Sequence, residues 1–532
     1  MMADTTIANL SVDGLRAVLR GMLANKPDCT GTFEEQARNF IHETAPRFSK
    51  TTIKKAANGP FQPKSSFEET RKRVCCMVGC GLCYEALPLL QYVVERVSEM
   101  DLQDYTCLDQ EVAAVDGAIV QNITAVQKTL FVVTGTRELS AEERLPLNAL
   151  LQSLLTCKLS WERFEQSFPL ERGLEATTDL LEPSVASQLP TNPSALSCED
   201  LSAIPETFHL SGIALPRVFT GLWQLSSPAW GAASRSKMME HFSRYVKNGF
   251  TAFDMADHYG DAEIVFGRYR ASSAFSNQMF TATKYCVFHP MTVTPEAVRA
   301  NVSERCQRLR TDKIDLLQFH WQFYDDTQYI DALRYIQEDA RVKHLGLCNF
   351  DTKNMQRVVN SGVKIFTNQV QFSLIDSRPT VKMAKFCEEH EIKLLTYGTL
   401  CGGLLAEKWI DQDAPDLYSE NITPSQRKYF SMINSWGGWG LFQELLHTLQ
   451  SIARKHGVTV SNVATRWVLD FPCVGAVIVG ARMGVSEQWQ NNLASLGWSL
   501  DAVDHNLIQD ILNKSKKDEM FEALGDCGGE YR

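Results

Sequence analysis

The sequence predicts an α/β protein whose C-terminal part closes into a (β/α)8 TIM barrel, preceded by a mainly α-helical N-terminal domain. Three observations predict it. Beyond residue 206, short β-rich runs alternate with amphipathic helical stretches, the pattern of a parallel sheet joined by crossover helices. Before residue 182, apolar residues recur at helical spacing instead. Between the two lies EPSVASQLPTNPSALSCEDLSAIP, rich in Pro and Ser and without periodicity, as a linker is.

A chain of 532 residues has room for more than one domain. The expected division is a helical domain over 1–181, a linker over 182–205 and a barrel with a C-terminal tail over 206–532. In the first part, 15–23 and 147–155 carry the helical period. Helix starts are expected after Thr32 and Ser140, where Phe33-Glu34-Glu35 and Ala141-Glu142-Glu143 put acids in a first turn that the helix dipole favours. In the second part, strands are expected at 218–222, 251–254, 279–284, 314–320, 342–348, 364–369, 392–397 and 475–480. Eight β-then-α units in roughly 300 residues suit a closed barrel better than a doubly wound sheet.

Composition narrows the function. Hydrophobic residues make up 44% and charged residues 22%, with an isoelectric point near 5.7, as in globular proteins that bury a core. A net charge of -10 opposes a nucleic-acid partner. No run approaches the ~20 apolar residues of a membrane span, and the start lacks the basic and apolar regions of a secretory leader. A cytoplasmic address without a membrane span is therefore expected. Fifteen cysteines without a leader read as free thiols. Cys80 and Cys83 have the C-x-x-C spacing, but no second such pair or nearby His pair completes a four-ligand zinc site. Core cysteines, and no metal, are expected.

Barrel enzymes place reacting groups at the C-terminal ends of their strands. Asp254, Lys284 and His320 end the second, third and fourth runs, and Tyr259 follows Asp254 at the start of the next helix. A phenol with a pKa of ~10 is a poor acid at neutral pH unless a cation stabilises the phenolate. Lys284 is suited to supply that cation, with Asp254 keeping it charged and in place. His320 is expected to donate to a substrate carbonyl or to tune the phenol, and Tyr259 to deliver the proton. A hydride arriving at a carbonyl carbon builds charge on oxygen that such donors meet; a cofactor is its expected source.

The stretch Phe253-Asp254-Met255-Ala256-Asp257-His258-Tyr259-Gly260, followed by Glu263 and Gly267, resembles the signature of the aldo-keto reductase family. Thr283-Lys284, Leu316-Leu317-Gln318-Phe319-His320-Trp321, Gly346-Leu347-Cys348-Asn349-Phe350 and Asn368-Gln369-Val370-Gln371-Phe372 follow in the family's order and spacing, and the resemblance covers about 207–516. It implies an NADP(H)-dependent oxidoreductase that interconverts an aldehyde or ketone and an alcohol, with Asp254, Tyr259, Lys284 and His320 as its tetrad. It also implies that Asn349 and Gln369 bond the nicotinamide carboxamide, that Tyr397 packs on the ring, and that Gly480, Arg482, Gln488 and Asn492 belong to the pyrophosphate and adenosine-ribose site. Backbone N–H groups at a helix start suit an anion there. The planar fork of Arg482 suits a 2′-phosphate, which favours NADP(H) over NAD(H). Two features depart from the family: Cys348 stands where Ser is usual, and the spacing from Gly480 to Gln488 is about two residues longer.

The long insertion at 408–440 carries Trp409, Tyr418, Tyr429, Phe430, Trp436 and Trp439, which either line a substrate pocket or pack the loop on the barrel. Trp223, Trp321, Trp436 and Trp439 are the candidate substrate contacts. No motif marks the helical domain. Gly79 and Gly81 run into Leu82-Cys83 without the Lys of a phosphate loop, and this domain is expected to dock a protein partner, self-associate or cap the barrel. The competing reading is a nicotinamide-sensing binding subunit without turnover; the intact tetrad favours the enzyme.

Overall fold

The computed structural model describes residues 11–44, 64–132, 135–164, 167–182, 201–226, 230–416 and 422–529. Residues 183–200 of the expected linker, and Tyr418, lie outside them. The chain forms two units: Met1–Thr129 with Leu139–Leu181 and Asp413–Phe430, and Leu130–Glu138 with Glu182–Gln412 and Ser431–Arg532. Part of the insertion at 408–440 thus groups with the helices, which a single cut in the sequence does not express.

The first unit contains helices Val12–Asn25, Thr30–Thr44, Lys64–Gly79, Cys83–Ser98, Leu102–Thr129, Ala141–Trp161 and Glu171–Leu181. Ser140 caps its helix. Its Oγ accepts from the Glu143 N–H at 3.2 Å, and the Glu143 carboxylate accepts from the Ser140 N–H at 2.8 Å, so two otherwise orphaned donors are satisfied. Leu147, Leu150, Leu151 and Leu154 form the buried face of that helix. The other helix begins earlier than expected: a 3-10 turn at Pro27–Cys29 runs directly into Thr30, leaving Thr32 in the first turn. Cys80 and Cys83 are buried on either side of Gly81, whose φ of 86° makes the bend between two helices. Burial pushes both thiols up. Among the described residues, no helix is long and apolar enough to cross a membrane.

The second unit is built on strands β1 (Val218–Gly221), β2 (Ala252–Asp254), β3 (Phe280–Val287), β4 (Leu316–Trp321), β5 (Leu345–Cys348), β6 (Thr367–Gln371), β7 (Lys393–Tyr397) and β8 (Val474–Gly480). They form a closed barrel in chain order, all parallel, with β8 returning to β1 from Val477–Val218 to Gly480–Gly221. Every residue of β2, β4, β5 and β6 is buried, because crossover helices cover the outside while side chains fill the inside. One boundary matters for the site. β3 does not end at Lys284 but continues to Val287, pairing Cys286 with His320.

A hairpin of Thr207–Leu210 and Ile213–Pro216 precedes β1. Its Phe208, Leu210 and Leu215 join Phe219, Phe280, Leu316 and Leu395 in one apolar cluster at the N-terminal ends of the strands. Phe208 packs so closely over β8 that a Cβ on Gly475 would lie 2.7 Å from its ring. The polar site is left to the opposite end.

Candidate active site

β2 ends at Asp254, and the chain turns through 255–261 before helix Ala262–Ser272. The Met255 N–H donates to the Ala282 carbonyl at 2.8 Å and the Tyr259 N–H to that of Ala256 at 3.1 Å, which ties the turn to β3 and closes it on itself. Beneath it lies a buried ionic network. One Glu263 oxygen accepts from Thr283 Oγ1 at 2.5 Å; the other accepts from Arg305 Nε at 2.9 Å and Arg308 Nε at 3.0 Å. Arg308 also donates to the Gly260 carbonyl at 2.5 Å. Gly267 allows this approach, since a Cβ there would lie 2.5 Å from the Arg308 carbonyl oxygen.

Above the network, Lys284 Nζ lies 2.6 Å from Asp254 Oδ2, donates to the Met255 carbonyl at 2.8 Å and reaches Tyr259 Oη at 3.4 Å. Burial opposes its charge, but the Asp254 carboxylate and the Tyr259 oxygen beside it hold its pKa above the ordinary lysine value. Tyr259 shows the reverse balance. Burial raises the phenol above its ordinary value, and Lys284, which acts in the lowering direction, does not overcome it. The expected phenolate stabilisation is therefore present as a pull but not as a net lowering.

Asp254 has a second tie that the sequence reading missed. Its Oδ1 accepts from Gln318 Nε2 and from Gln369 Nε2, both at 2.8 Å, and Gln369 also donates to Gln318 at 2.8 Å. Gln369 thus belongs to the carboxylate's support, from the middle of β6. Gln318 pairs with Lys284 across β3 and β4, so strand register was the signal that could have found it.

His320 sits beside Cys286 with Nδ1 3.0 Å from the Cys348 carbonyl. A carbonyl only accepts, so Nδ1 carries the proton. Burial brings the pKa of the ring down to about 4, against the Cys348 hydrogen bond that raises it. A neutral ring with Nδ1 protonated presents Nε2 as an acceptor.

Asn349, with φ 58°, accepts from Tyr397 Oη at 2.9 Å on its side chain and gives its N–H to the Gln369 carbonyl at 2.8 Å. Asn349 follows β5 directly and Tyr397 ends β7, while Gln369 stands in the middle of β6. At the end of β8, Gly480 leaves a cradle where a Cβ would lie 3.0 Å from the Gln224 amide. Two residues on, Arg482 is exposed; its carbonyl accepts from the Val485 and Ser486 N–H groups at 2.9 and 3.1 Å, while its guanidinium makes no hydrogen bond or ion pair among the described residues. The following segment is fixed to helix Arg235–Lys247: the Gly484 N–H donates to His241 Nδ1 at 3.0 Å, Arg244 pairs with Glu487 at 2.8 Å and the Gln488 N–H donates to Tyr245 Oη at 3.3 Å. A turn with Gly484 at φ 79° lies within this segment. The helix behind it, Trp489–Leu493, has only five residues and buries Asn492, so it is a poorer anion seat than the expected helix start. A cradle beside an unpaired guanidinium fits the phosphate end of a dinucleotide.

The tryptophans separate. Trp223 is 41% exposed just after β1, its ring 5.2 Å from Trp230. Trp321 is 1% exposed, with Nε1 bonded to the Phe323 carbonyl at 2.7 Å and its ring 6.3 Å from Tyr329 on helix Gln328–Glu338. It follows His320 in β4 and so faces the helices rather than the lumen. Trp436 is fully buried. Trp439 donates to the Gln412 carbonyl at 2.9 Å and stacks on Phe442 at 5.3 Å, which packs the insertion. Phe288, not singled out from sequence, is 37% exposed just past β3, 4.9 Å from His258 and 5.5 Å from His320. The extension of β3 carries it there.

Fold and relatives together define a carbonyl–alcohol oxidoreductase. Residues 217–513 match the model of the Aldo/keto reductase family, and the chain belongs to that family. It is similar to Aldo-keto reductase YhdN of Bacillus subtilis, 24% identical over 324 residues that cover 58% of this chain and 93% of the relative. The NADH-specific methylglyoxal reductase of Escherichia coli is 22% identical over 341 residues, covering 59% and 96%. Among solved structures, glycerol dehydrogenase AKR11B4 of Gluconobacter oxydans is 27% identical and covers 59% of this chain and 97% of its own, with a TM-score of 0.48.

Proposed function

We propose that the barrel reduces an aldehyde or ketone with NADPH, or runs the reverse, with Tyr259 as the proton donor and acceptor. The observation that carries this reading is Lys284 Nζ placed 2.6 Å from Asp254 and 3.4 Å from Tyr259 Oη. When bound, the nicotinamide supplies the hydride that reaches the carbonyl carbon. As negative charge grows on the carbonyl oxygen, Tyr259 gives up its proton and Lys284, kept charged by Asp254, balances the phenolate left behind. Because burial keeps the phenol protonated at rest, the reductive direction starts with its proton in place. Burial keeps the His320 ring neutral, so the reading takes Tyr259 rather than His320 as the proton source.

Asn349, Gln369 and Tyr397 would hold the nicotinamide end, with Gly480, Arg482, Gln488 and Asn492 at the adenosine end. Arg482 favours NADP(H) through a two-point contact with a 2′-phosphate. Trp223 and Phe288 suit a substrate with apolar or ring character. To the helical unit we assign docking or self-association; its first helices expose Val12, Met22 and Phe40.

The test is to follow the nicotinamide absorbance band with NADPH and with NADH over a panel of aliphatic and aromatic carbonyls, using Tyr259→Phe as control. NADPH consumption that Tyr259→Phe abolishes supports the reading. Tight cofactor binding without turnover on any carbonyl overturns it in favour of a cofactor-sensing subunit.

A further inference from the structure

We propose that Asp257, His258 and Cys286 form a binding site for a thiophilic divalent cation, zinc(II) being the natural probe, at the mouth of the barrel. Their ligating atoms, one from each residue, all lie within 4.8 Å of one another. With Zn–N and Zn–O bonds of ~2.0 Å and Zn–S of ~2.3 Å, ligand atoms around one ion stand roughly 3–4 Å apart, so the shell closes with small side-chain movements. Carboxylate, imidazole and thiol are the ligand types zinc takes, and three protein ligands leave a fourth position open.

The fold builds the site from two elements. Asp257 and His258 stand in the turn after β2, and Cys286 lies on the part of β3 that runs past Lys284. The elements are already joined, since the Cys286 N–H donates to Asp257 Oδ2 at 2.9 Å, while Asp257 Oδ1 lies 3.2 Å from His258 Nδ1. All three residues are partly exposed, so an ion can reach them. Arg305 lies 3.6 Å from Asp257 Oδ2 and opposes a cation, but its own charge is balanced by Glu263 at 2.9 Å and Glu304 at 2.6 Å.

At rest the Cys286 thiol is protonated, because burial and the Asp257 carboxylate both disfavour the thiolate. Binding therefore exchanges a proton for the metal: the S–H bond breaks, a sulfur–metal bond forms and one proton leaves to solvent. Thiolate and carboxylate together cancel the charge of the ion. The His258 ring lies 4.7 Å from that of Tyr259, so an ion held here crowds the proton donor and suppresses turnover. That last consequence rests on the proposed function; the binding itself does not.

The experiment is a cobalt(II) titration of the untagged full chain, reading thiolate-to-cobalt charge-transfer absorption. Expected are a band saturating at one equivalent, its loss in Cys286→Ser, affinity weakened about 10–100-fold in His258→Gln, and displacement by zinc(II). No charge-transfer band in the unaltered chain overturns the proposal, as does a band that persists in Cys286→Ser, which would place the metal on another cysteine. Zinc(II) is expected to inhibit carbonyl reduction by the unaltered chain and not by Cys286→Ser. A Cys286-dependent cobalt band in a chain without carbonyl turnover keeps the cation site and removes the reductase reading alone.

Discussion

Arg308 donates to the Gly260 carbonyl at 2.5 Å, one residue beyond Tyr259, while its Nε shares the Glu263 carboxylate with Arg305. The phenol is thus aimed from below, by a group that does not itself reach the mouth. Lys keeps the charge but loses the fork that spans two acceptors. Arg308→Lys is expected to lower kcat about 10–100-fold, since small misplacements of a reacting group cost up to ~10²-fold. Cofactor affinity should stay nearly constant, and steady-state kinetics beside a fluorescence titration of NADPH separates the two.

Removing Lys284 leaves Asp254 charged and buried. Lys284→Met should abolish turnover and lower stability by about 3–5 kcal/mol, the usual cost of breaking a buried pair. Adding Asp254→Asn removes the stranded charge, and the double variant should recover part of that loss without recovering activity. Urea denaturation of both single variants and the double closes the cycle.

His320 predicts a pH window. Burial holds its folded-state pKa at about 4, whereas an unfolded histidine titrates near ~6.5. Between these values the unfolded chain binds a proton that the folded ring refuses, so this residue makes stability fall as pH drops from about 6.5 to about 4, with no further loss below. His320→Gln should flatten that part of the denaturation midpoint against pH.

The tryptophans should behave in two ways. Trp439→Ala and Trp321→Ala remove packing and are expected to lower the melting temperature while leaving the KM for carbonyls close to its starting value. Trp223→Ala should do the opposite, raising KM for ring-bearing substrates several-fold with little change in melting. Equal KM changes in all three would overturn this division.

The barrel, and the nearness of Asp254, Tyr259 and Lys284, were legible because both depend on local order: each strand is a short apolar run, and Asp254, Lys284 and His320 stand on or at the end of one. What escaped the sequence depends on register or burial. Gln318 reads as one polar residue in an apolar run until pairing sets it opposite Lys284. The neighbours of Tyr259 are visible in the chain, but its desolvation, which outweighs the pull of Lys284, is a property of the closed mouth. Aromatic residues in the insertion look alike on paper, although Trp439 spends its N–H on Gln412 and Trp436 is sealed away.

Phe208, Leu210 and Leu215, set across the foot of the strands, plug that end of the barrel with apolar side chains, and Asp254, Lys284 and Tyr259 stand toward the other end. On the proposed function, cofactor and carbonyl would both approach from that other end. When two molecules have to meet at the bottom, the one that lies deeper must arrive first and depart last. An ordered pattern of product inhibition in steady-state kinetics is the expected mark of that arrangement.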